Sequence, residues 1–202
     1  GSENKETEMT AVQHHTHAPV LVEQDLVTHG LARRALAVLR IGFGLTFLWA
    51  FFDKLLALGF ATGKSAETGN VDYFGPDAWV NGGSPTFGFL SFGVPEDNPF
   101  HGTFTSIAGD GWTNWLFMAG LLGIGLALTL GIGMRVAAIS GAVLYLLMWL
   151  ASLPLENNPV IDDHILGAIT VVVLAATLAG DTWGLGRAWA KTHLVRRLPI
   201  LR

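Results

Sequence analysis

Four apolar stretches, at residues 35–58, 112–130, 136–153 and 161–179, govern what this 202-residue chain can fold into. The second and third carry no charged residue and are long enough, as helices, to cross a hydrocarbon core of about 30 Å. The first contains Arg40, Asp53 and Lys54, and the fourth opens with Asp162, Asp163 and His164. An ionisable side chain at membrane depth is costly, so each of these marks either a functional site or a structural clamp. The pattern predicts an all-α membrane protein, a four-transmembrane-helix bundle. A long aromatic-rich extracytoplasmic loop, residues 59–111, joins helices 1 and 2.

Charge content supports the class. Only 14% of the residues are charged, against about 25% in soluble domains. Cys is absent, which excludes disulfides, Cys-ligated zinc, iron–sulfur clusters and thiol catalysis within this chain.

The cations set the expected orientation. Arg33 and Arg34 precede the first stretch, Arg135 lies between the second and third, and Arg187, Lys191, Arg196, Arg197 and Arg202 follow the fourth. On the other face stand Lys54 and Lys64 among many carboxylates. The positive-inside rule then puts both termini in the cytoplasm, consistent with an even number of spans. Residues 1–30 read as a cytoplasmic tail without order, 31–182 as the membrane domain and 183–202 as a basic cytoplasmic tail. Gly1-Ser2 resembles a cloning remnant, no cleavable leader is expected, and residues 20–30 fit a short surface helix. His14, His15 and His17 read as incidental histidines of a tail, with weak metal binding as the alternative. Trp183, Trp189, Leu194, Leu198 and Ile200, set among basic residues, suit a segment lying on anionic lipid. No nucleic-acid partner is expected.

Small residues four apart, Ala119 with Gly123 and Ala137 with Gly141, predict close helix contacts. In the fourth stretch His164, Gly167, Ala168, Val171 and Ala175 share a face, which turns His164 into the bundle, while Asp163 lies over Thr170. Residues 59–111 are long for a connection and are punctuated by rings that include Phe60, Trp79, Phe87 and Phe92, with a turn signal at 81–85. They read either as an aromatic belt at the headgroups or as a lid over a flat, apolar ligand.

Arg40 lies 13 residues before Asp53, roughly 20 Å along a helix, and reads as a snorkelling side chain near the cytoplasmic headgroups. Asp53 and Lys54 point about 100° apart on a helix. One reading pairs one of them with Asp163 or His164 as a clamp between helices, since buried charges need partners. A metal set of His101, Asp163 and His164 has no ligand pair at the i, i+4 spacing, so no metal is predicted.

The ordered set 37–42 (Ala-Val-Leu-Arg-Ile-Gly), 47–54 (Phe-Leu-Trp-Ala-Phe-Phe-Asp-Lys), 81–86 (Asn-Gly-Gly-Ser-Pro-Thr), Asp163-His164 and 182–187 (Thr-Trp-Gly-Leu-Gly-Arg) resembles the DoxX family of bacterial four-helix membrane proteins in its actinobacterial form. The resemblance covers roughly residues 33–190. It implies the bundle, a bacterial inner (cytoplasmic) membrane location, and kinship with the membrane subunit of thiosulfate:quinone oxidoreductase. On that basis the chain is expected to be a quinone-associated subunit of a membrane oxidoreductase complex in sulfur or respiratory metabolism. The alternative is a non-catalytic structural or assembly subunit that docks partner proteins.

Quinone reduction takes two electrons and two protons. Asp53, Asp163 and His164 are the candidate catalytic residues, with His best matched to neutral pH. Lys54, one of two cations on the outer face, is the candidate anchor for a sulfur oxyanion, and Trp49, Trp79 and Phe87 are the rings expected to flank a quinone. The chain carries no dinucleotide fingerprint and no evident haem motif, so electrons are expected either to pass directly from donor to quinone or to come through other membrane redox subunits or a bound cofactor. A homo-oligomer is also compatible. Alternating-access transport is disfavoured, because four helices leave little room and no inverted repeat is visible.

Overall fold

The computed structural model describes residues 18–202. His14, His15 and His17 lie outside the described residues. Among the described residues no strand forms, and a single β-bridge joins Lys64 to Val71. The helices are α1 (Glu23–Leu26), α2 (Gly30–Leu56), α3 (His101–Ser106), α4 (Gly111–Leu130), α5 (Met134–Ala151), α6 (Asp163–Ala176), α7 (Gly186–Ala190) and α8 (His193–Arg197). A 3-10 turn at Trp79–Asn81 and a π-helical turn at Phe89–Gly93 interrupt the long connection between α2 and α3. A further 3-10 turn, Pro199–Leu201, closes the chain.

Three helices, α2, α4 and α5, are long and apolar enough to cross a membrane. The fourth apolar helix, α6, has 14 residues and so reaches only about 21 Å. Its bounds fall inside the stretch expected from hydropathy. Asp162 starts it as N-cap, its carboxylate accepting the His164 and Ile165 N–H groups. The left-handed Leu178, φ 54°, follows its end. α2 begins at Gly30, five residues before its predicted start. The expected surface helix over 20–30 reduces to the single turn α1.

α2 packs along α4 and α5 along α6, and the α4–α5 contact joins the two pairs. The ends carrying residues 57–110 and 152–162 form the loop end of the bundle; both described termini lie at the opposite, tail end. Phe47 and Phe51 of α2 meet Met118, Leu121, Ile124 and Leu128 of α4 in the core, with Ala137, Val171 and Leu174 from the second pair.

Glycines set the closest helix approaches. A Cβ on Gly44 would stand 2.7 Å from the Thr129 backbone N, and one on Gly125 would stand 3.0 Å from the Leu48 backbone N. Ala137 and Gly141 are buried, as the small-residue spacing implied. Ala119 and Gly123 are not at a helix contact: both are exposed and a Cβ on Gly123 would meet nothing within 4 Å. α4 turns Met118, Leu121, Gly125 and Leu128 inward, and that periodicity sends Ala119 and Gly123 to the other face.

Arg40 does not snorkel. It is fully buried, and its guanidinium donates to five carbonyls: Ala179 at 2.9 Å, Leu128 at 2.6 Å, Thr129 at 2.9 Å, Thr182 at 3.1 Å and Trp183 at 3.0 Å. Helix C-termini leave carbonyls without intrahelical partners and carry partial negative charge. One side chain of α2 thus satisfies the ends of α4 and of the segment after α6. Gly131, with φ 76°, makes room, since a Cβ there would lie 3.0 Å from Nη1 of Arg40.

The basic tail is docked rather than loose. Arg202 pairs with Asp181 at 2.9 Å, and donates to the carbonyls of Gly186 and Leu21. Asp181 also accepts the Glu23 N–H, and Thr182 donates its hydroxyl to Glu23 at 2.6 Å. Leu194, Leu198 and Ile200 remain exposed beside Arg196 and Arg197, an arrangement suited to an interface with lipid headgroups.

Candidate functional site

At the loop end, a cavity of about 1290 Å³ lies between α4, α5 and the connection following α2. Pockets for drug-sized molecules enclose roughly 300–1,000 Å³, so this one has room for a ring and part of a chain. Its apolar wall comes from Phe104, Ile107, Trp112, Leu116 and Phe117 on one side and Ile139, Val143, Leu144 and Leu147 on the other. Trp112, Leu116, Ile139, Val143 and Leu147 are also exposed at the bundle's flank. The cavity therefore opens sideways, on the faces that apolar helices turn toward lipid. Its polar end holds Lys54, Thr62, Lys64, Asp77 and Ser84.

The gap exists because the two facing helix surfaces carry little side chain there. Ala119 and Gly120 of α4 and Ser140 of α5 line it, and a Cβ on Gly120 would meet nothing within 4 Å. Ala119, expected at a helix contact, instead forms part of the cavity wall.

Lys54 projects into this space from the last turn of α2. Its ammonium lies 5.9 Å from the centroid of the Phe117 ring, within reach of a cation–π attraction. Neither of the two ion pairs among the described residues includes it. Its sequence neighbour Asp53 is buried and turned elsewhere. The Asp53 carboxylate accepts the Phe60 N–H at 3.1 Å and the Ala61 N–H at 2.7 Å. Asp53 thus pins the chain as it leaves α2 and sets the position of Thr62 and Lys64 at the cavity's polar end.

The rest of the rim is held by Asn114 on α4. Its Oδ1 accepts the hydroxyls of Ser84 at 2.9 Å and Thr86 at 2.6 Å, and Thr86 in turn accepts the Gly109 N–H. The 81–86 motif is thereby fastened to α4 with Phe87 beside it, half-exposed on the cavity wall. At the other side Asn98 donates to the carbonyls of Leu150 and Leu153, closing the end of α5.

The expected meeting of Asp53 or Lys54 with Asp163 or His164 does not form. His164 Nδ1 stands 2.7 Å from Asp162 Oδ2, and its ring packs at 6.4 Å from that of Tyr145. Asp163, one residue on, is exposed. The partner of His164 is therefore the N-cap Asp162; the Asp-x-His spacing at a helix start was the available signal. Asp53, Asp162, Asp163 and His164 are not among the residues lining the cavity. Trp49 makes an edge contact with Phe60 at 5.0 Å and Trp79 with Trp115 at 4.7 Å; neither lines the cavity. His101 Nδ1 faces the Pro95 carbonyl at 3.1 Å. Of the residues singled out from sequence, Lys54 and Phe87 share the cavity.

A second charged group sits at the tail end. Glu23 is fully buried and its Oε1 has no hydrogen-bond partner. Burial raises its pKa above the ordinary carboxylate range; Asp181 adds to the rise, while the Thr182 hydroxyl and Arg33 oppose it. Arg40, with all five N–H groups committed to carbonyls, has none to offer it.

Comparison with protein-family models, with curated proteins and with solved structures gives no match to this chain.

Proposed function

We propose that the chain is a DoxX-like multi-pass membrane protein and a quinone-associated subunit of a membrane oxidoreductase, with the loop-end cavity as its quinone site. The observation that carries this reading is the sideways-open apolar cavity with Lys54 at its polar end. A lipid-soluble ring reaches such a site from within the bilayer, stacks among Trp112, Phe104 and Phe117, and offers its oxygens to Lys54, Thr62 and Ser84. The chain extends along the small-residue gap between α4 and α5. Proton delivery through Asp163 and His164 is no part of this reading, since neither lines the cavity.

In the proposed arrangement α6, flanked by apolar residues on both sides, completes a four-helix membrane bundle in a bacterial inner membrane. Both termini face the cytoplasm, as the clustering of Arg135, Arg187, Arg196 and Arg197 at the tail end favours. The loop between α2 and α4 then lies outside. Electrons come from a partner subunit or a further bound cofactor, because the chain has no cysteine or dinucleotide motif of its own.

The test is binding of a decyl-substituted benzoquinone or naphthoquinone to the purified protein in detergent, followed by quenching of tryptophan fluorescence. Saturable quenching that disappears in Gly120→Leu, with the helical circular dichroism unchanged, supports the site. Absence of saturable binding, or equal binding in Gly120→Leu, removes it.

A further inference from the structure

The charge balance at the cavity's polar end says which form of a ligand it suits. Lys54 and Lys64 both line the cavity, with Asp77 the one carboxylate among the lining residues. Asp77 and Lys64 are exposed at the rim, where water screens them. Lys54 is different. It is half-buried, faces an aromatic ring, and has no ion-pair partner among the described residues. Asp53, the nearest acid in sequence, gives both carboxylate oxygens to backbone N–H groups. An ammonium half-buried beside an aromatic ring and outside any ion pair of the described residues gains most from an anion, because a charge-assisted hydrogen bond is about twice as strong as a neutral one.

We infer that the cavity selects a long-chain amphiphile whose head carries an acidic hydroxyl, bound as its oxyanion with the oxygen on Lys54 and the chain between α4 and α5. This rests on the quinone-site reading and deepens it by naming the ligand's charge state. A neutral ring satisfies the walls equally well but leaves the Lys54 charge facing a weak dipole. The cavity therefore discriminates by head charge more than by ring shape.

The experiment compares two probes of one chain length, a 2-hydroxy-3-alkyl-1,4-naphthoquinone, ionised at neutral pH, and its neutral 2-methoxy counterpart. Affinities are measured by tryptophan quenching on the full chain in a nonionic detergent. The hydroxy probe is expected to bind about tenfold tighter or more, the range a hydrogen bond to a charged group supplies. Lys54→Met and Lys54→Gln should erase that preference, lowering the affinity for the hydroxy probe more than that for the methoxy probe; Lys54→Arg should retain it. Equal affinity of the two probes for the wild-type protein overturns the charge selection and leaves the quinone site standing. So does a preference that survives in both neutral variants. Failure of both probes to bind overturns the site itself and this inference with it. Because the wild-type ratio is decisive alone, a variant that does not fold leaves the test intact.

Discussion

The Asp53 carboxylate accepts the Ala61 backbone N–H at 2.7 Å, and this bond makes a candidate catalytic acid the fastening of the cavity rim. Its other oxygen accepts from Phe60. Both oxygens are spent on the chain leaving α2, where a buried carboxylate needs them.

Asp53→Ala is therefore expected to act on stability first. It removes two N–H···carboxylate bonds and leaves two donors without partners, a loss of about 2 kcal/mol or more. Thermal unfolding in detergent should show a lower midpoint. Ligand affinity should fall as well, since Thr62 and Lys64 are held in place through this segment. Unchanged thermal stability would contradict the fastening role.

Arg40→Lys is expected to be far from conservative. Lysine offers three donors to the five carbonyls that Arg40 reaches. At least two carbonyls then remain unpaired in the interior, each costing roughly 1–3 kcal/mol. The variant should lose monodisperse elution at temperatures the wild type tolerates. A wild-type melting profile would show that the carbonyls find other partners.

His164→Ala and Asp163→Asn are expected to leave quinone-analogue binding unchanged, because neither residue lines the cavity. His164→Ala should lower stability modestly, about 1 kcal/mol, through loss of the bond to Asp162. Loss of binding in a well-folded His164→Ala protein would move the site to the α5–α6 face.

Gly120→Leu fills open space rather than crowding a neighbour. Its thermal midpoint should match the wild type or exceed it, since Leu also favours helix over Gly by nearly 1 kcal/mol. Ligand-induced stabilisation should vanish in the same protein. A large drop in stability would show that the gap closes in solution.

Glu23 gives a pH dependence with a definite sign. Its folded-state pKa is raised, chiefly by burial, so the folded protein holds the proton to higher pH than the unfolded chain. Its contribution is complete below the ordinary Glu pKa and is lost as pH rises through the raised value. Hydrogen exchange at residues 21–27, corrected for the intrinsic rate, should show weaker docking over that window. Glu23→Gln should flatten the dependence; an unchanged profile would show that Glu23 is not its source.

Hydropathy alone carried the helical class and the bounds of α4 and α5 to within about two residues, because apolar runs without charge have few other ways to satisfy their backbones in lipid. It was less reliable where capping decides. α6 begins two residues into the apolar run, where the Asp162 carboxylate takes two N–H groups, and ends at Ala176, three residues short of the run's end, so its length was set by its ends and not by composition.

The sequence by itself determined that charge would be placed inside an apolar bundle, and which residues carry it: Arg40, Asp53, Lys54 and His164. Tertiary structure decided what each charge faces. A buried carboxylate or guanidinium takes whichever donors or acceptors lie within about 3 Å. For Asp53 these are its own loop, for Arg40 the carbonyls at two distant helix ends, and for His164 its own helix cap. Of these four, only Lys54 was left facing a cavity, which small residues of two helices, Gly120 of α4 and Ser140 of α5, line together, a juxtaposition that no local pattern encodes.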